Sequence, residues 1–178
     1  MINSLRYKII VQQFKNKVYS YSFYILRNRM DAEDVTQEVL LILWKNIEKI
    51  NFIAAKTWIM KTTYNKCIDY LRKRKRILSK EQNIGEEEEA LNYLNNVLPP
   101  DLLLEKKLIQ SKIQEALGKL NDTQKQILVL YEIQGLKYKE ISKVLEIPIN
   151  TIKVYMLRAR QNLKNELKKE EVFDEQGL

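Results

Sequence analysis

The chain has 178 residues, of which 45% are hydrophobic and 30% are charged, with only 4 Gly and 3 Pro and a formal net charge of +8. This balance favours a folded, helix-rich protein over fibrous, low-complexity or wholly disordered classes. Because the chain contains no His and a single Cys, Ser-His-Asp and Cys-His nucleophilic sites and ordinary zinc sites are excluded, and we expect no catalytic residues, metal or cofactor.

The single cysteine and the short apolar segments indicate the compartment. Cys67 has no partner for an internal disulfide, and the N-terminal segment lacks the apolar core and cleavage site of a secretory signal. The longest apolar run, residues 39–44, is far shorter than the roughly 20 residues that cross a bilayer. We therefore expect a cytoplasmic protein without membrane insertion.

Positive charge is concentrated at the beginning of the chain. Residues 1–76 carry 16 Lys or Arg and 6 Asp or Glu, residues 77–111 carry 3 and 7, and residues 112–178 carry 12 and 10. The densest cationic segment is the run Arg-Lys-Arg-Lys-Arg at residues 72–76. Such a run can neutralise nucleic-acid phosphates and release counterions, or it can be a solvated helix end whose cations suit the helix macrodipole.

The first element with clear periodicity is an amphipathic helix that begins with Asp31 as N-cap and has Glu33 and Asp34 in its first turn. Its buried face recurs at helical spacing and comprises Val35, Val39, Leu43, Ile47 and Ile50. Its opposite face is acidic and amide-rich with one apolar residue, and comprises Asp34, Gln37, Glu38, Leu41 and Lys45. This face can dock a partner helix, or it can simply be exposed to solvent.

A second helix is predicted from about residue 55 to residue 74. Four residues at steps of four face the core, namely Ile59, Thr63, Cys67 and Leu71. A different stripe carries Trp58, Lys61 and Asn65. An aromatic ring, a cation and an amide on one surface offer base stacking, phosphate contact and base-edge hydrogen bonding. The alternative is that Trp58 belongs to the core.

Residues 79–100 combine four consecutive Glu with Gly85 and the pair Pro99-Pro100, a composition that ends helices and favours a flexible acidic linker. The sequence therefore predicts two compact helical modules. We assign residues 1–76 to the first module, 77–100 to the linker, 101–170 to the second module and 171–178 to a tail.

The second module begins with two apolar patterns separated by a break at residues 121–122. The first pattern comprises Leu104, Leu108, Ile113, Leu117 and Leu120, and the second comprises Ile127, Leu128, Leu130 and Tyr131. Gly135 is predicted to end the second of these helices. A short helix then carries Tyr138, Ile141, Val144 and Leu145, and a turn at residues 146–149 precedes a new helix from Asn150.

The last helix places Ile152, Met156, Ala159 and Leu163 on a buried stripe. Its outward residues are Thr151, Lys153, Val154, Tyr155 and Arg158. Two short helices around a tight turn, the second with polar and basic groups near its N-terminus, are typical of a helix-turn-helix that reads the major groove. A helix-turn-helix shape without DNA contact is the alternative.

Three segments together resemble one protein family. Residues 31–44, which begin Asp-Ala-Glu-Asp-Val-Thr-Gln-Glu, and residues 58–76, which run from Trp58 through Asn65 into the basic run, resemble sigma region 2. Residues 135–163 resemble the helix-turn-helix of sigma region 4. Because patterns like the latter also occur in response regulators, the weight lies on the presence of both halves in this order. The chain thus resembles the extracytoplasmic-function sigma factors, small two-domain promoter-recognition subunits of bacterial RNA polymerase.

The resemblance implies an all-α fold of two small helical domains joined by the flexible acidic linker, the C-terminal one a four-helix helix-turn-helix domain. It implies an alternative sigma factor, not an enzyme, that binds core RNA polymerase and directs promoter recognition and strand opening in transcription initiation. The expected partners are promoter DNA, as a duplex minus-thirty-five element and a single-stranded minus-ten element, and an anti-sigma factor. No small-molecule substrate is expected.

The same resemblance implies residue roles. The residues on the helix that docks the clamp coiled coil of the largest polymerase subunit are Asp34, Gln37, Glu38 and Leu41. The residues expected to bind DNA near the minus-ten element are Trp58, Lys61, Asn65, Arg72, Lys73 and Arg74. The residues expected to face the minus-thirty-five major groove are Thr151, Lys153, Tyr155 and Arg158.

Several positions depart from the family pattern. Thr62, Thr63 and Tyr64 replace the usual Ile-Ala-Arg before Asn65, and Glu146 replaces the common turn Gly. Val154 and Tyr155 stand where Ser and Arg are frequent. These departures bear on the promoter sequence that is read more than on the fold, because outward residues choose bases while the buried stripe is intact.

Two other function classes explain less of the chain. A helix-turn-helix regulator that does not replace a polymerase subunit accounts for residues 112–170 but leaves the docking face and the basic helix unexplained. A metal-dependent nuclease would need clustered carboxylates, which the pattern places on separate surfaces, and the sequence has no Gly-rich phosphate loop.

Overall fold

The computed structural model describes residues 2–78, 109 and 111–175, which form helices and turns and no strand. The helices, in chain order, are α1 (Ile2–Leu26), α2 (Arg29–Asn46), α3 (Ala55–Leu78), α4 (residues 111–118), α5 (Asp122–Leu128), α6 (Tyr138–Leu145) and α7 (Ile149–Glu175). A 3-10 turn at Phe52–Ala54 precedes α3, and a π-helical turn at Val129–Ile133 extends α5. The predicted all-α fold of two helical domains is confirmed, with α1–α3 in the first and α4–α7 in the second.

Parts of the prediction lie outside the described residues. These are the acidic run at residues 86–89, the core candidates Leu104 and Leu108, and the predicted linker apart from residues 77 and 78, which end α3. At the other end, α7 continues through Glu175, so the described part of the predicted tail is helical. In the described ranges no helix is both long enough and apolar enough to cross a membrane.

The N-terminal domain is a three-helix unit around one apolar core. The predicted stripe of α2 is buried, with Val35 and Val39 0% exposed and Leu43 1% exposed. In the predicted stripe of α3, Ile59, Thr63 and Cys67 are at most 1% exposed. Its last member, Leu71, is half-buried. Burying each large apolar side chain stabilises the folded state by about 1.5–3 kcal/mol. This energy fixes how α2 and α3 are rotated about their axes. Their outer faces therefore present the residues that the sequence places opposite the stripes.

The start of α2 differs from the prediction. Asn28, not Asp31, is the N-cap: its Oδ1 accepts a hydrogen bond from the Asp31 N–H at 2.9 Å, and its backbone is extended. Asn and Asp cap helices about equally well, so the choice depends on where α1 ends. Arg27 adopts a left-handed φ of 53° and its N–H donates to the Phe23 carbonyl at 2.9 Å, which places the cap at the next residue.

The helix-turn-helix of the second domain forms as the sequence indicates. Gly135 has a left-handed φ of 66°, and the Leu136 N–H donates to the Leu130 carbonyl at 2.9 Å, so the preceding helix ends where predicted. The last helix begins at Ile149, one residue before the predicted Asn150, because the Pro148 carbonyl accepts from the Ile152 N–H at 3.0 Å.

Some expectations about facing residues in this domain are wrong. Ile113 is 37% exposed, whereas Leu117 and Leu120 of the same pattern are buried. Tyr155 is half-buried and packs against the core instead of facing outward. A large aromatic ring beside a buried stripe covers apolar surface that a smaller side chain would leave exposed.

Arg160 links α7 to the π-helical turn. Its guanidinium donates to Glu132 Oε1 at 2.7 Å and 3.1 Å and lies 5.3 Å from the centroid of the Tyr131 ring. We expect Arg160→Ala to lower the free energy of unfolding by about 1 kcal/mol, because an exposed ion pair contributes about 0.2–1 kcal/mol and an exposed cation–π contact about 0.5–1 kcal/mol. Urea unfolding checks the value. Arg158→Ala, at an exposed position two residues earlier, is the control, and an equal loss in both variants would contradict the assignment.

Candidate functional site

The outer face of α2 presents an apolar centre with polar neighbours. Leu41 is 60% exposed and Trp44, one turn further on, is 49% exposed. Asp34 and Gln37 are exposed on the preceding turns of the same face. The Tyr7 ring from α1 meets the Trp44 ring edge-on at 5.1 Å and supports it. Exposed large apolar side chains next to acidic and amide groups form a surface suited to docking another helix.

Glu38 occupies this helix but points toward α3. Its carboxylate accepts from Lys66 Nζ at 2.7 Å and from the Tyr70 hydroxyl at 3.0 Å. The hydrogen bond from Lys66, which outweighs the opposing effect of burial, lowers the pKa of Glu38 below its usual value. Burial, together with the bond to Glu38, raises the pKa of Tyr70 to about 12. Glu38 therefore joins α2 to α3, and the exposed members of the predicted docking set are Asp34, Gln37 and Leu41.

The outer face of α3 is polar and basic. Asn65, Arg72 and Lys73 are exposed, and Lys61, Asn65 and Arg72 share one side of the helix at steps of four and seven. Arg72 lies 3.8 Å from the Asp69 carboxylate, a loose pair with both side chains largely exposed. Such a pair holds little energy, so the Arg72 cation remains available to a phosphate.

Two of the predicted DNA-binding residues have contacts within the fold. Trp58 is half-buried against the core cluster. Arg74 is partly buried, and its guanidinium donates to the Leu26 carbonyl at the end of α1 at 3.3 Å. A cation on the unpaired carbonyls of a helix C-terminus stabilises that end. The structure thus gives both residues a packing or capping role beside any contact with DNA.

The 3-10 turn before α3 is a feature that the sequence analysis missed. Ile53 is 92% exposed and Phe52 is 52% exposed, and the turn is held by Asn51, whose Oδ1 accepts from the Ile53 N–H at 2.9 Å. The sequence signal that could have revealed this turn was the apolar pair Phe52-Ile53, which belongs to the buried stripe of neither neighbouring helix. Its position at the start of a basic helix offers an unpaired base an apolar surface on which to stack.

The recognition face of α7 is partly as predicted. Lys153 and Arg158 are exposed, whereas Thr151 and Tyr155 are half-buried. Val154 is 47% exposed and Leu157 is 68% exposed on the same side. Leu157 was not among the residues predicted to face outward, although its position opposite the buried stripe could have indicated this. The outward surface therefore combines two cations with two apolar side chains.

The two domains contact each other along α3. Lys61 Nζ lies 2.5 Å from Glu146 Oε1 in the turn between α6 and α7. Lys56 Nζ donates to the Gly135 carbonyl at 2.9 Å and lies 3.5 Å from the Glu140 carboxylate. Of the predicted DNA-facing side chains on α3, Lys61 is thus paired with the second domain, while Asn65 is exposed.

A second set of contacts connects α1 to the C-terminal domain. Lys125, 8% exposed, donates from Nζ to the Ile25 carbonyl at 3.3 Å. Gln134, 2% exposed, donates from Nε2 to the Ser20 hydroxyl at 2.9 Å. Burial lowers the pKa of Lys125 below its usual value, and the nearby Arg27 cation lowers it further. Sequence reasoning could not find these pairs, because residues so far apart in the chain share no periodic pattern.

Each half of the chain matches a known protein family. Residues 10–77 match the family model of Sigma-70 region 2, and residues 110–163 match that of Sigma-70 region 4. The ECF RNA polymerase sigma factor SigW of Bacillus subtilis is 30% identical over 164 residues, which cover 89% of this chain and 87% of that protein. SigM of the same organism is also 30% identical, over 155 residues that cover 87% of this chain and 91% of SigM.

Two solved structures share the fold. The sigma factor RpoE in complex with the anti-sigma factor NepR from Bartonella quintana matches with a TM-score of 0.75 and 21% identity, covering 90% of this chain and 96% of RpoE. CnrH in complex with the cytosolic domain of CnrY matches with a TM-score of 0.64 and 17% identity, covering 92% of this chain and 88% of CnrH.

Proposed function

Because the chain belongs to the extracytoplasmic-function sigma factors of bacterial RNA polymerase, we propose that it binds the core enzyme through α2 and promoter DNA through α3 and α7. The observation that carries this assignment is that one chain presents three separate exposed surfaces, one apolar and acidic and two basic. A helix-turn-helix regulator needs only the last of them, so the α2 and α3 surfaces favour the sigma-factor function over that alternative.

The α2 surface is the proposed polymerase-docking surface. Leu41 inserts between side chains of the clamp coiled coil, and Asp34 and Gln37 pair with polar groups around it. Full burial of a leucine contributes about 1.5–3 kcal/mol, which makes Leu41 the dominant single contact of the set. Glu38 contributes by holding α2 against α3 through Lys66 and Tyr70.

The α3 surface is the proposed site for the opened minus-ten element. Asn65 hydrogen-bonds an exposed base of the non-template strand, while Lys61, Arg72 and Lys73 neutralise phosphates. Trp58 and Arg74 shape this surface from their partly buried positions. Unpairing costs a few kcal/mol, and stacking returns about 1–3 kcal/mol per base, so a few captured bases suffice to hold a short element open. No covalent chemistry takes part.

The α7 surface is the proposed reader of the duplex minus-thirty-five element. Lys153 and Arg158 reach the groove, and the half-buried Thr151 and Tyr155 contact its edge. Each good base contact gives about 1–3 kcal/mol of discrimination against a wrong base. One module alone would therefore bind its promoter element weakly. When polymerase holds both domains on one promoter, the second contact gains from the high effective concentration created by the first.

One further partner follows from the family. The relatives RpoE and CnrH form complexes with NepR and CnrY, of which NepR is an anti-sigma factor. We propose an inhibitor of this kind for the present chain, covering the polymerase-docking surface. The site of action is then the cytoplasm, where the polymerase works.

We expect Arg158→Ala to weaken binding to a minus-thirty-five duplex by about 1–3 kcal/mol with loss of preference at one base pair if the guanidinium reads a base. A smaller loss, equal for all sequences, is expected if it contacts phosphate. Binding to a panel of altered duplexes measures the difference. The matched control is Lys164→Ala, at an exposed position nearly two turns after Arg158 in α7. An equal effect of both substitutions would contradict contact of Arg158 with the groove.

Run-off transcription with core polymerase tests the whole assignment. The expected result is that the chain copurifies with the core enzyme and yields transcripts from discrete start sites on a genomic fragment library. Duplex binding without copurification would instead support the helix-turn-helix regulator. Absence of both association and start-site-dependent RNA would reject the sigma-factor assignment of the surfaces.

A further inference from the structure

The contact between the domains occupies one cation of the proposed DNA surface of α3, Lys61, and a further cation, Lys56, at the start of the same helix. Glu146 pairs with Lys61, and the carbonyl of Gly135 together with Glu140 holds Lys56. A carboxylate that pairs with a lysine takes the place that a DNA phosphate would take, since both are anionic oxygen acceptors. The helix-turn-helix domain therefore competes with DNA for this end of α3.

Glu146 stands where its backbone is unfavourable for it. It is the C-cap of α6 with a left-handed φ of 58°, a conformation that glycine adopts at no steric cost and that most other residues adopt with strain. The turn itself gains nothing from a glutamate here. The side chain of Glu146 is 73% exposed and its carboxylate pairs with Lys61. The carboxylate, not the turn, accounts for a glutamate at this position.

The contact between the two domains, called here the closed arrangement, involves more than exposed side chains. Behind the ion pairs, Lys125 and Gln134 of the second domain are buried and donate to the first domain, at the Ile25 carbonyl and the Ser20 hydroxyl. Polar groups that are buried in an interface and hydrogen-bonded across it favour the fitted arrangement over a slightly displaced one, because a small displacement breaks their bonds before water can replace them. The packing thus defines one closed state, and the exposed pair at its rim is the part that DNA can reach.

We propose that Glu146 is a built-in latch: in the free protein its carboxylate occupies Lys61, adds to the packing that holds the helix-turn-helix domain on α3, and must be displaced before promoter DNA can bind there. The inference rests on the proposed role of α3 as a DNA surface. The pair is exposed, with the Lys61 side chain 40% exposed, so it is weak enough for phosphates to replace.

Small-angle scattering of the full-length free protein tests the latch directly. Glu146→Gly removes the carboxylate and relieves the turn, so the variant is expected to keep or raise its melting temperature while its radius of gyration increases. Glu146→Lys places two cations together and is expected to expand the protein further. The control Glu115→Lys makes the same charge change at a position in the same domain whose side chain is 62% exposed, and it is expected to leave the radius unchanged. The charge-swapped double variant Lys61→Glu/Glu146→Lys is expected to regain the compact radius.

Binding of a fluorescent single-stranded oligonucleotide to the free protein gives the second readout. Glu146→Gly is expected to raise the affinity about two- to fivefold, the size of effect that one exposed ion pair has on an equilibrium. Glu146→Lys is expected to raise it more than Glu115→Lys does. An unchanged radius in both Glu146 variants, or expansion without a gain in affinity, would overturn the latch. Scattering requires neither polymerase nor promoter, so this outcome is distinct from a failure of the wild-type chain to support transcription.

Discussion

Leu41→Asp is expected to abolish association with core RNA polymerase while the free protein keeps its fold. Leu41 is 60% exposed in the free chain, so its replacement removes little of the N-terminal core. In the complex the same position would bury a carboxylate without a partner, in addition to losing about 1.5–3 kcal/mol of apolar burial. Together these effects correspond to a loss of affinity of about 100-fold or more.

The measurement is the dissociation constant for core polymerase, with a thermal unfolding curve to show that the variant is folded. Ile77→Asp is the matched control, since Ile77 is an exposed apolar residue, 47% exposed, in the last turn of α3 and away from the α2 face. We expect its affinity for the core enzyme to stay near that of the wild type. Undiminished binding of Leu41→Asp would remove α2 as the docking surface.

Asn65→Ala is expected to slow promoter opening about tenfold while binding of core polymerase stays within about twofold, because loss of one captured base forfeits roughly 1–3 kcal/mol. Asn65 is exposed on α3, so we expect the fold to tolerate loss of its amide. Permanganate reactivity of thymines in the minus-ten element measures opening, and a pull-down measures association.

Asn46→Ala provides the comparison for Asn65. Asn46 ends α2 and uses its amide locally, donating from Nδ2 to the Ile42 carbonyl at 2.8 Å. We expect that variant to open promoters at the normal rate. If Asn65→Ala lowers association and opening equally, its amide acts in assembly and the base-capture role is wrong.

The periodic parts of the fold could be predicted from the sequence, because burial of one helical face repeats every three or four residues. The stripes that contain Val39, Ile59 and Ile152 are buried as predicted, except that the last members of the second and third, Leu71 and Leu163, are half-buried. Helix starts were less well determined. Asn28 and Asp31 have the same capping chemistry, and the Pro148 carbonyl moves the start of α7 by one residue.

The candidate surfaces were predictable to the extent that they lie opposite a buried stripe. Leu41 and Asn65 were found in this way, and their exposure agrees with the prediction. Contacts between distant segments have no such signature, so the pairing of Glu38 with Lys66 and of Lys61 with Glu146 became visible only in three dimensions. The exposed turn at Phe52–Ala54 was missed because three residues are too few to show a period.

The hydrogen bonds of Glu38 have a consequence for the two surfaces proposed on the N-terminal domain. One carboxylate on α2 accepts from both Lys66 and Tyr70 of α3, so the two helices are held in a fixed relative position. If α2 and α3 act as proposed, the separation between the polymerase contact and the captured bases is therefore set by packing inside the protein and not by the DNA.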